Sequence, residues 1–313
     1  MAKYNLVIFH QPGMQKTSDF LTIRAKMAEC APDIAVFIIT PGMQLLGNFW
    51  SRMAELPTVL FAPRHIRVPV PVRIRGGRLI PPSEMKKFGE FHLLKAKGFP
   101  VPETQMILPE TVLDEAVWGP FVVVKPNGGR QGRGVRLQRT RDVRWSDTRS
   151  LPVDDPRHGR DLLAQRYIHT GPFACCYRVM TVLGRAVYSA ASIAAENLPG
   201  LDPAGGEAVD LPVAANSKGR RMVLNYDEEM LSLAQDVHRK LTHTPVMGID
   251  IIREHETGKL YVLELNSRGG TWHISSNYGL HLQHEFGLDY AAQFGALDII
   301  TERLVDATRR LAV

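Results

Sequence analysis

The chain has 313 residues, enough for a sizeable core and more than one folded unit, and its 44% hydrophobic and 22% charged content is that of an ordinary globular protein. A formal charge of +6 is modest and suits an anionic substrate; with no aromatic interleaving and no zinc-ligand spacing, nucleic acid is not an expected partner. Three cysteines, Cys30, Cys175 and Cys176, make no disulfide framework, and no apolar run reaches membrane-spanning or signal-peptide length, so the expected location is the cytoplasm, away from membranes.

Tyr4–His10 reads as a strand, residues 16–30 as a helix, and Asp33–Thr40 and Thr58–Phe61 as further strands. Strand–helix–strand at this spacing argues a small parallel α/β domain over residues 1–80, with the proline-rich stretch 63–82 as the linker out of it. The run from Lys87 to Pro102 reads as a helix closed by Gly98, followed by a proline-bounded strand.

Phe121–Lys125 is a short β-branched strand ending in a lysine. A loop follows with Gly128, Gly129, Gly132 and Gly134, then a second apolar stretch from Val135. Glycines let backbone N–H groups converge on an anion, and the lysine adds a point charge. The loop opens no helix, which excludes a Rossmann fingerprint, and it is not a Walker loop. Strand, glycine loop, strand is the pattern of a flap over phosphates; a flexible hairpin or an RNA-touching Arg/Gly segment fits it as well.

Leu162–Ile168 and Cys175–Leu183 are β-prone, with Gly184–Arg185 as the expected two-residue turn into Ala186–Ala190. Arg178 shares a strand face with Cys176, Met180 and Val182, as either a snorkelling edge residue or a buried anion ligand. Residues 196–221 read as a long mobile loop over the site, with Lys218–Arg221 as a solvated basic stretch. Residues 227–241 read as a helix started at Asp227, and 283–311 as a further helical segment. His10 and His273 are single histidines, expected to be structural, and no nucleophile elbow or Cys/His cluster occurs.

In Leu263-Glu264-Leu265-Asn266, the glutamate and asparagine are two apart and project to one face of a strand. Asp250, in Gly248-Ile249-Asp250-Ile251-Ile252, brings a third oxygen ligand from a second strand. Hard oxygen ligands with room for water and phosphate suit magnesium; an acid on an edge strand is the plainer alternative.

Taken in order, these motifs resemble the ATP-grasp superfamily of carboxylate–amine ligases, of the ribosomal-glutamate-ligase and D-alanine-ligase type, over roughly residues 80 to 300. The resemblance implies an α/β (α+β) ATP-grasp fold behind a small N-terminal parallel α/β domain. It implies an ATP-grasp domain over 81–313, divided into a lysine-helix and glycine-loop part (81–162) and a hinge, arginine-strand and metal part (163–313). Lys87 and Lys125 would meet ATP phosphates under a flap from Gly128 to Gly134. The backbone of Gln165, Arg166, Tyr167 and Ile168 would form the adenine hinge. Arg178 and Lys125 would be catalytic, and Asp250, Glu264 and Asn266 would hold magnesium, with Glu264 bridging two ions.

Two departures stand out. Arg166 and Cys176 occupy positions where the family commonly has acids, which leaves the ribose contact to an acid of the 194–210 loop. After Asn266 the chain continues Ser267-Arg268-Gly269-Gly270; on a continuing strand Arg268 would face the same cleft and clamp a substrate carboxylate, or else it is a surface arginine. The activity implied is ADP-forming amide or peptide bond formation through an acyl phosphate, with ATP and magnesium and with small-molecule or peptide acids and amines. An ATP-grasp kinase acting on a hydroxyl and a non-catalytic nucleotide-binding regulator are the alternatives, and a homo-oligomer is left open.

Overall fold

The computed structural model describes residues 1–45, 47–66, 74–82, 85–129, 132–198, 200–213, 218–242, 244–268 and 270–312. β1 (Tyr4–Phe9), α1 (Thr17–Cys30), β2 (Ile34–Ile39), α2 (Phe49–Met53), β3 (Thr58–Phe61) and β4 (Arg78–Leu79) form a parallel sheet of order β2-β1-β3-β4. The parallel domain read from the sequence is there, but the expected linker contributes β4 to it. The reason is Gly76: a Cβ there would lie 2.2 Å from the Thr58 carbonyl oxygen, so only glycine lets this segment close against β3. The rest of that stretch, residues 67–73, lies outside the described residues.

α3 (Lys87–Ala96) ends at Gly98, whose φ of +79° supplies the left-handed exit. No strand forms at Phe99–Pro102, because two prolines remove ladder donors there; β5 (Thr104–Met106) begins after them. After the short helix α4 (Glu115–Trp118), β6 (Phe121–Pro126), β7 (Arg136–Arg139) and β8 (Leu162–Arg166) join β5 in a second sheet, with β6 and β7 an antiparallel pair flanking the glycine loop. Arg130 and Gln131 of that loop lie outside the described residues.

The third sheet holds β9 (Phe173–Val182) and β10 (Arg185–Asn197). Their turn is Leu183–Gly184 rather than Gly184–Arg185. Val182 pairs with Arg185, and φ is positive at both turn residues, +46° and +84°, as a type I′ turn demands. The left-handed Leu183 costs about 1 kcal/mol, which the surrounding ladder over-determines.

The 196–221 stretch is less free than its composition suggests. β10 runs into it, β11 (Asp210–Pro212) crosses to the second sheet and pairs with β7, and β12 (Arg221–Leu224) returns to the third. Arg136 bonds Asp210, while the buried Arg139 donates to the carbonyls of Asp202, Pro203 and Glu207. Residues 199 and 214–217 of this stretch lie outside the described residues.

α5 (Glu228–Lys240) is capped by Asp227, whose side chain accepts from the Met230 N–H. Its Met230, Ala234 and Val237 pack on Val179, Ile249, Ile251 and Val262. These belong to β9, β13 (Val246–Arg253) and β14 (Leu260–Asn266), and they cover one face of the third sheet, whose order is β12-β10-β9-β13-β14. The C-terminal helical segment is two helices, α6 (Asn277–Phe286) and α7 (Ala296–Leu311), because Gly287 adopts a left-handed C-cap. α7 packs on α1 and β1, so a single core joins Leu6, Phe20 and Ile23 to Ile300 and Leu304.

Candidate functional site

The face of the third sheet opposite α5 carries the site, at the part of that face beyond where Met180, Val182 and Tyr188 pack into the core with Trp272 and Ile300. Cross-strand partners share a face, and the register aligns Glu264, Asp250, Arg178, Ala190 and Leu224 in one row across β14, β13, β9, β10 and β12. The next row holds Asn266, Gly248, Met180 and Tyr188. The two metal-ligand strands inferred from the sequence are therefore neighbours, with Arg178 directly beside them. Asp250 grips Arg178 in two-point fashion, at 2.7 Å to Nε and 2.7 Å to Nη2, and the Asn266 amide donates to Asp250 Oδ2 at 3.2 Å. Arg178 is thus a carboxylate-paired arginine within the site, not a snorkelling edge residue.

The lysines come from the opposite side. Asn127, at the start of the glycine loop, accepts the backbone N–H groups of Lys87 (3.1 Å) and Phe88 (3.0 Å) through its main-chain and side-chain oxygens. That link caps α3 and sets Lys87 near Lys125. Lys87 Nζ reaches Glu264 Oε2 at 2.5 Å, and Lys125 Nζ donates to Gln165 Oε1 at 2.9 Å. The predicted phosphate lysines and predicted metal carboxylates are thus in one place, each cation holding an oxygen.

Glu90, one turn after Lys87, was not singled out from the sequence. It is buried between α3 and β14, and accepts the Leu265 N–H at 3.3 Å. Only the i, i+3 spacing from Lys87 could have flagged it. Burial, and then the Glu264 carboxylate, push Glu90 up to about 8. Burial, and then the Lys87 ammonium, push Lys125 down to about 8.

A pH dependence of stability follows. Glu90, raised from 4.5 to about 8, binds a proton more readily in the folded state, so its contribution is present below 4.5 and is lost as pH rises through about 8. Lys125, lowered from 10.5 to about 8, contributes above 10.5, and that contribution is lost as pH falls through about 8. The two limbs meet, and stability of the nucleotide-free protein is expected to dip near pH 8. Chemical denaturation across pH 5 to 10 checks this; Glu90→Gln should flatten the acid limb, and a curve with no dip would remove this account of the pair.

Gln165 enters by its side chain rather than its backbone: it lies in the β5–β8 ladder, its amide also donates to Thr104 Oγ1 at 2.9 Å, and the Arg166 N–H is taken by the Glu103 carbonyl. Arg166 itself is exposed. Tyr167 keeps a buried hydroxyl with no partner among the described residues, and Ile168 packs with Ile252 and Tyr261 of β13 and β14. A pocket lined by Phe91, Leu94, Leu163, Val262 and Leu263, with Glu90 and Lys125 in its wall, lies between α3, β8 and β14.

In the glycine loop, φ is +66° at Gly132 and +74° at Gly134, so non-glycine residues would be strained there. A Cβ at Gly134 would also press Arg157, Pro126 and Pro156 at 3.1–3.3 Å. Gly128 offers its carbonyl to Arg160 at 3.0 Å, and Gly129 has φ +147°.

Arg268 departs from its expected geometry. β14 ends at Asn266, the chain turns, and Arg268 is exposed, with its carbonyl accepting from the His65 N–H at 3.2 Å. Gly270 onward leads instead to the buried Trp272, held by Asp19 at 2.8 Å, and to the buried His273. His10 is buried against Phe20, and its ring nitrogens have no hydrogen-bond partner among the described residues. Cys176, at the position where the resemblance led us to expect an acid, lies on the site face with Arg178. Asp210, a loop acid considered for the ribose, is engaged by Arg136 and Gln138.

Among the described residues no group of three or more His, Cys, Asp or Glu is placed to hold a metal. Two carboxylates and an amide remain, a sparse oxygen set that fits magnesium when phosphate oxygens and water complete it. No helix of the described residues is long and apolar enough to cross a membrane.

No protein-family model matches the chain, and no curated protein does. Solved structures do match. The ATP-grasp ligase PsnB, complexed with a phosphomimetic variant of minimal precursor, Mg and ADP, is 14% identical with a TM-score of 0.50, over 98% of this chain and 100% of that one. The D-alanine–D-alanine ligase from Bacillus anthracis (15% identity, TM-score 0.45, 97% and 99% of the two chains) is also similar. So is the macrocyclase MdnC bound with precursor peptide MdnA from Microcystis aeruginosa MRC (13%, 0.48, 97% and 99%). The near-complete match to PsnB shows that this chain has the ATP-grasp fold.

Proposed function

We propose that the protein is an ATP-dependent, ADP-forming ligase that joins a carboxylate to an amine through an acyl phosphate. The observation that carries this reading is the row Glu264–Asp250–Arg178, facing Lys87 and Lys125, on an ATP-grasp fold. Related structures hold ADP and Mg or ATP, and the same ligands are assigned here. Magnesium held by Asp250, Glu264 and Asn266 would neutralise phosphate charge.

The chain's own groups do the remainder. Lys87 exchanges Glu264 for a phosphate oxygen, and Lys125 does the same for Gln165. Arg178, planar and permanently charged, meets the migrating phosphoryl group. Because phosphoryl transfer needs positioning and charge rather than a protein nucleophile, no covalent enzyme intermediate is required. The glycine loop excludes water by closing on the phosphates, and the 1–80 unit abuts the acceptor side through His65 and Asp19. A peptide acid or amine is among the substrates considered, since PsnB and MdnC are complexed with precursor peptides.

Hydroxylamine tests the reading. A ligase yields a hydroxamate from ATP and its acid alone, a hydroxyl kinase yields a stable phosphoester, and a binding protein yields neither. Failure to form hydroxamate across a broad panel of amino acids and peptides, by a protein that binds ATP, would remove the ligase assignment. The flap gives a second check: ATP with magnesium should protect the chain from trypsin after Arg133. Equal cleavage with and without nucleotide would return the loop to a flexible hairpin.

A further inference from the structure

β14 brings Glu264 to the site only because its alternation is broken once. Leu260, Val262 and Leu265 pack in the core under α5, while Tyr261 and Leu263 pack on the opposite face with Ile168 and Cys176. Continued alternation from Leu260 and Val262 would send Glu264 into the apolar core. The pairing with β13 slips by one residue instead. Ile251 faces Val262 but Asp250 faces Glu264, which leaves Leu263 as the extra residue of a β-bulge. Past the bulge the phase is reversed: Glu264 and Asn266 come to the site face, and Leu265 returns to the core.

The bulge is held from its outer side. β14 is the last strand of the third sheet among the described residues, so its outward N–H groups have no ladder partner there. α3 and the segment after it supply two acceptors. The Pro100 carbonyl takes the Val262 N–H at 2.8 Å, just before the bulge, and Glu90 Oε2 takes the Leu265 N–H at 3.3 Å, just after it. In a regular strand the N–H groups that leave one edge are an even number of residues apart. These two are three apart, a spacing that the extra residue allows. Val262, Leu265 and Glu90 are all buried, so water is a poor substitute, and a buried N–H left unpaired is costly. One turn before Glu90 on the same helix, Lys87 holds the Glu264 carboxylate itself at 2.5 Å.

We propose that Glu90 is a positioning residue for the metal ligands: by holding the Leu265 N–H it fixes the bulge that turns Glu264 and Asn266 out of the core and onto the site face. The inference rests on the metal reading of those two residues and adds the group that sets their direction. The role needs an acceptor oxygen at that reach rather than a negative charge.

Manganese(II) binding to the protein with saturating ADP, read by electron paramagnetic resonance, tests it beside hydrogen exchange at the Leu265 amide. Glu90→Met, close in volume but without an acceptor oxygen, is expected to weaken manganese binding about tenfold or more, the scale on which supporting groups hold metal ligands. Exchange at Leu265 should become faster in the same variant. Glu90→Gln, which keeps an acceptor oxygen, should hold both readouts near their wild-type values; a side chain that merely filled space would let the two variants behave alike. Should Glu90→Met fail to fold, Glu90→Asp keeps the charge but falls one methylene short of the amide, and the same two losses are expected from it. Manganese binding or Leu265 exchange unchanged in Glu90→Met or Glu90→Asp, or a tenfold loss of binding in Glu90→Gln, overturns the assignment of Glu90 and leaves Glu264 and Asn266 as metal ligands. Wild-type protein that binds no manganese with ADP removes the metal reading and this inference with it.

Discussion

Glu264→Gln is expected to lower turnover about 100-fold or more, the scale of losing one preorganised charge contact. Glutamine keeps the shape of the side chain on β14, and its partner position opposite Asp250 is unchanged. What it loses is one of only two carboxylates in the oxygen set, and the partner of Lys87 at 2.5 Å. Nucleotide binding should weaken less than turnover. Under the proposed assignment Lys125 and Arg178 would still face the phosphates, and Lys87 would no longer have to leave a carboxylate to reach them. Steady-state kcat beside a nucleotide dissociation constant checks both halves. Normal turnover by the variant would mean that the metal assignment is wrong.

Lys125→Met should separate activity from stability. Turnover is expected to fall about 100-fold, because an ammonium assigned to the phosphates is gone. The melting temperature should move by only a few degrees. An ammonium that is only 6% exposed is a costly group to bury, and Lys87 repels it, so removing it relieves strain. Against that, Gln165 loses its partner at 2.9 Å, and an unpaired buried amide oxygen costs about 1–3 kcal/mol. Differential scanning calorimetry beside kcat decides: a variant that fails to fold would make Lys125 a structural post rather than a phosphate ligand.

The sequence made the site legible wherever side chains alternate in a strand. Asp250, Glu264 and Asn266 were recoverable because polar residues on a β-branched strand stand out at period two, and because registry then forces strand neighbours together. Lys125 was picked out because it ends a β-branched strand directly before a run of glycines, although a flexible hairpin fits that pattern as well. What depends on long-range closure was not legible. Glu90 looks like any helix-surface acid until β14 covers it. Asn127 looks like a turn residue until it caps α3. The Leu183–Gly184 turn was misplaced by one residue because glycine at the second position also satisfies a two-residue hairpin, provided that leucine accepts a left-handed conformation. Arg268 was placed on a strand that ends at Asn266, since alternation cannot show where a strand stops. The 196–221 stretch has the composition of a loose loop, yet Arg136 and Arg139 fasten it to β7. Arginines bonding to main-chain carbonyls leave no mark on the partner's sequence.

Isotope transfer puts the central claim to its most direct test. An acid active in the hydroxamate assay, labelled with ¹⁸O in its carboxylate, is incubated with ATP, magnesium and the accepted amine, and the released phosphate is read by ³¹P NMR. In the proposed reaction a carboxylate oxygen attacks the γ-phosphorus, the bond from that phosphorus to ADP breaks, and the amine then displaces phosphate from the acyl carbon. Each phosphate should therefore carry one ¹⁸O taken from the acid. Phosphate released without label, with the acid retaining both of its labelled oxygens, would show that ATP never met the carboxylate and would contradict the account.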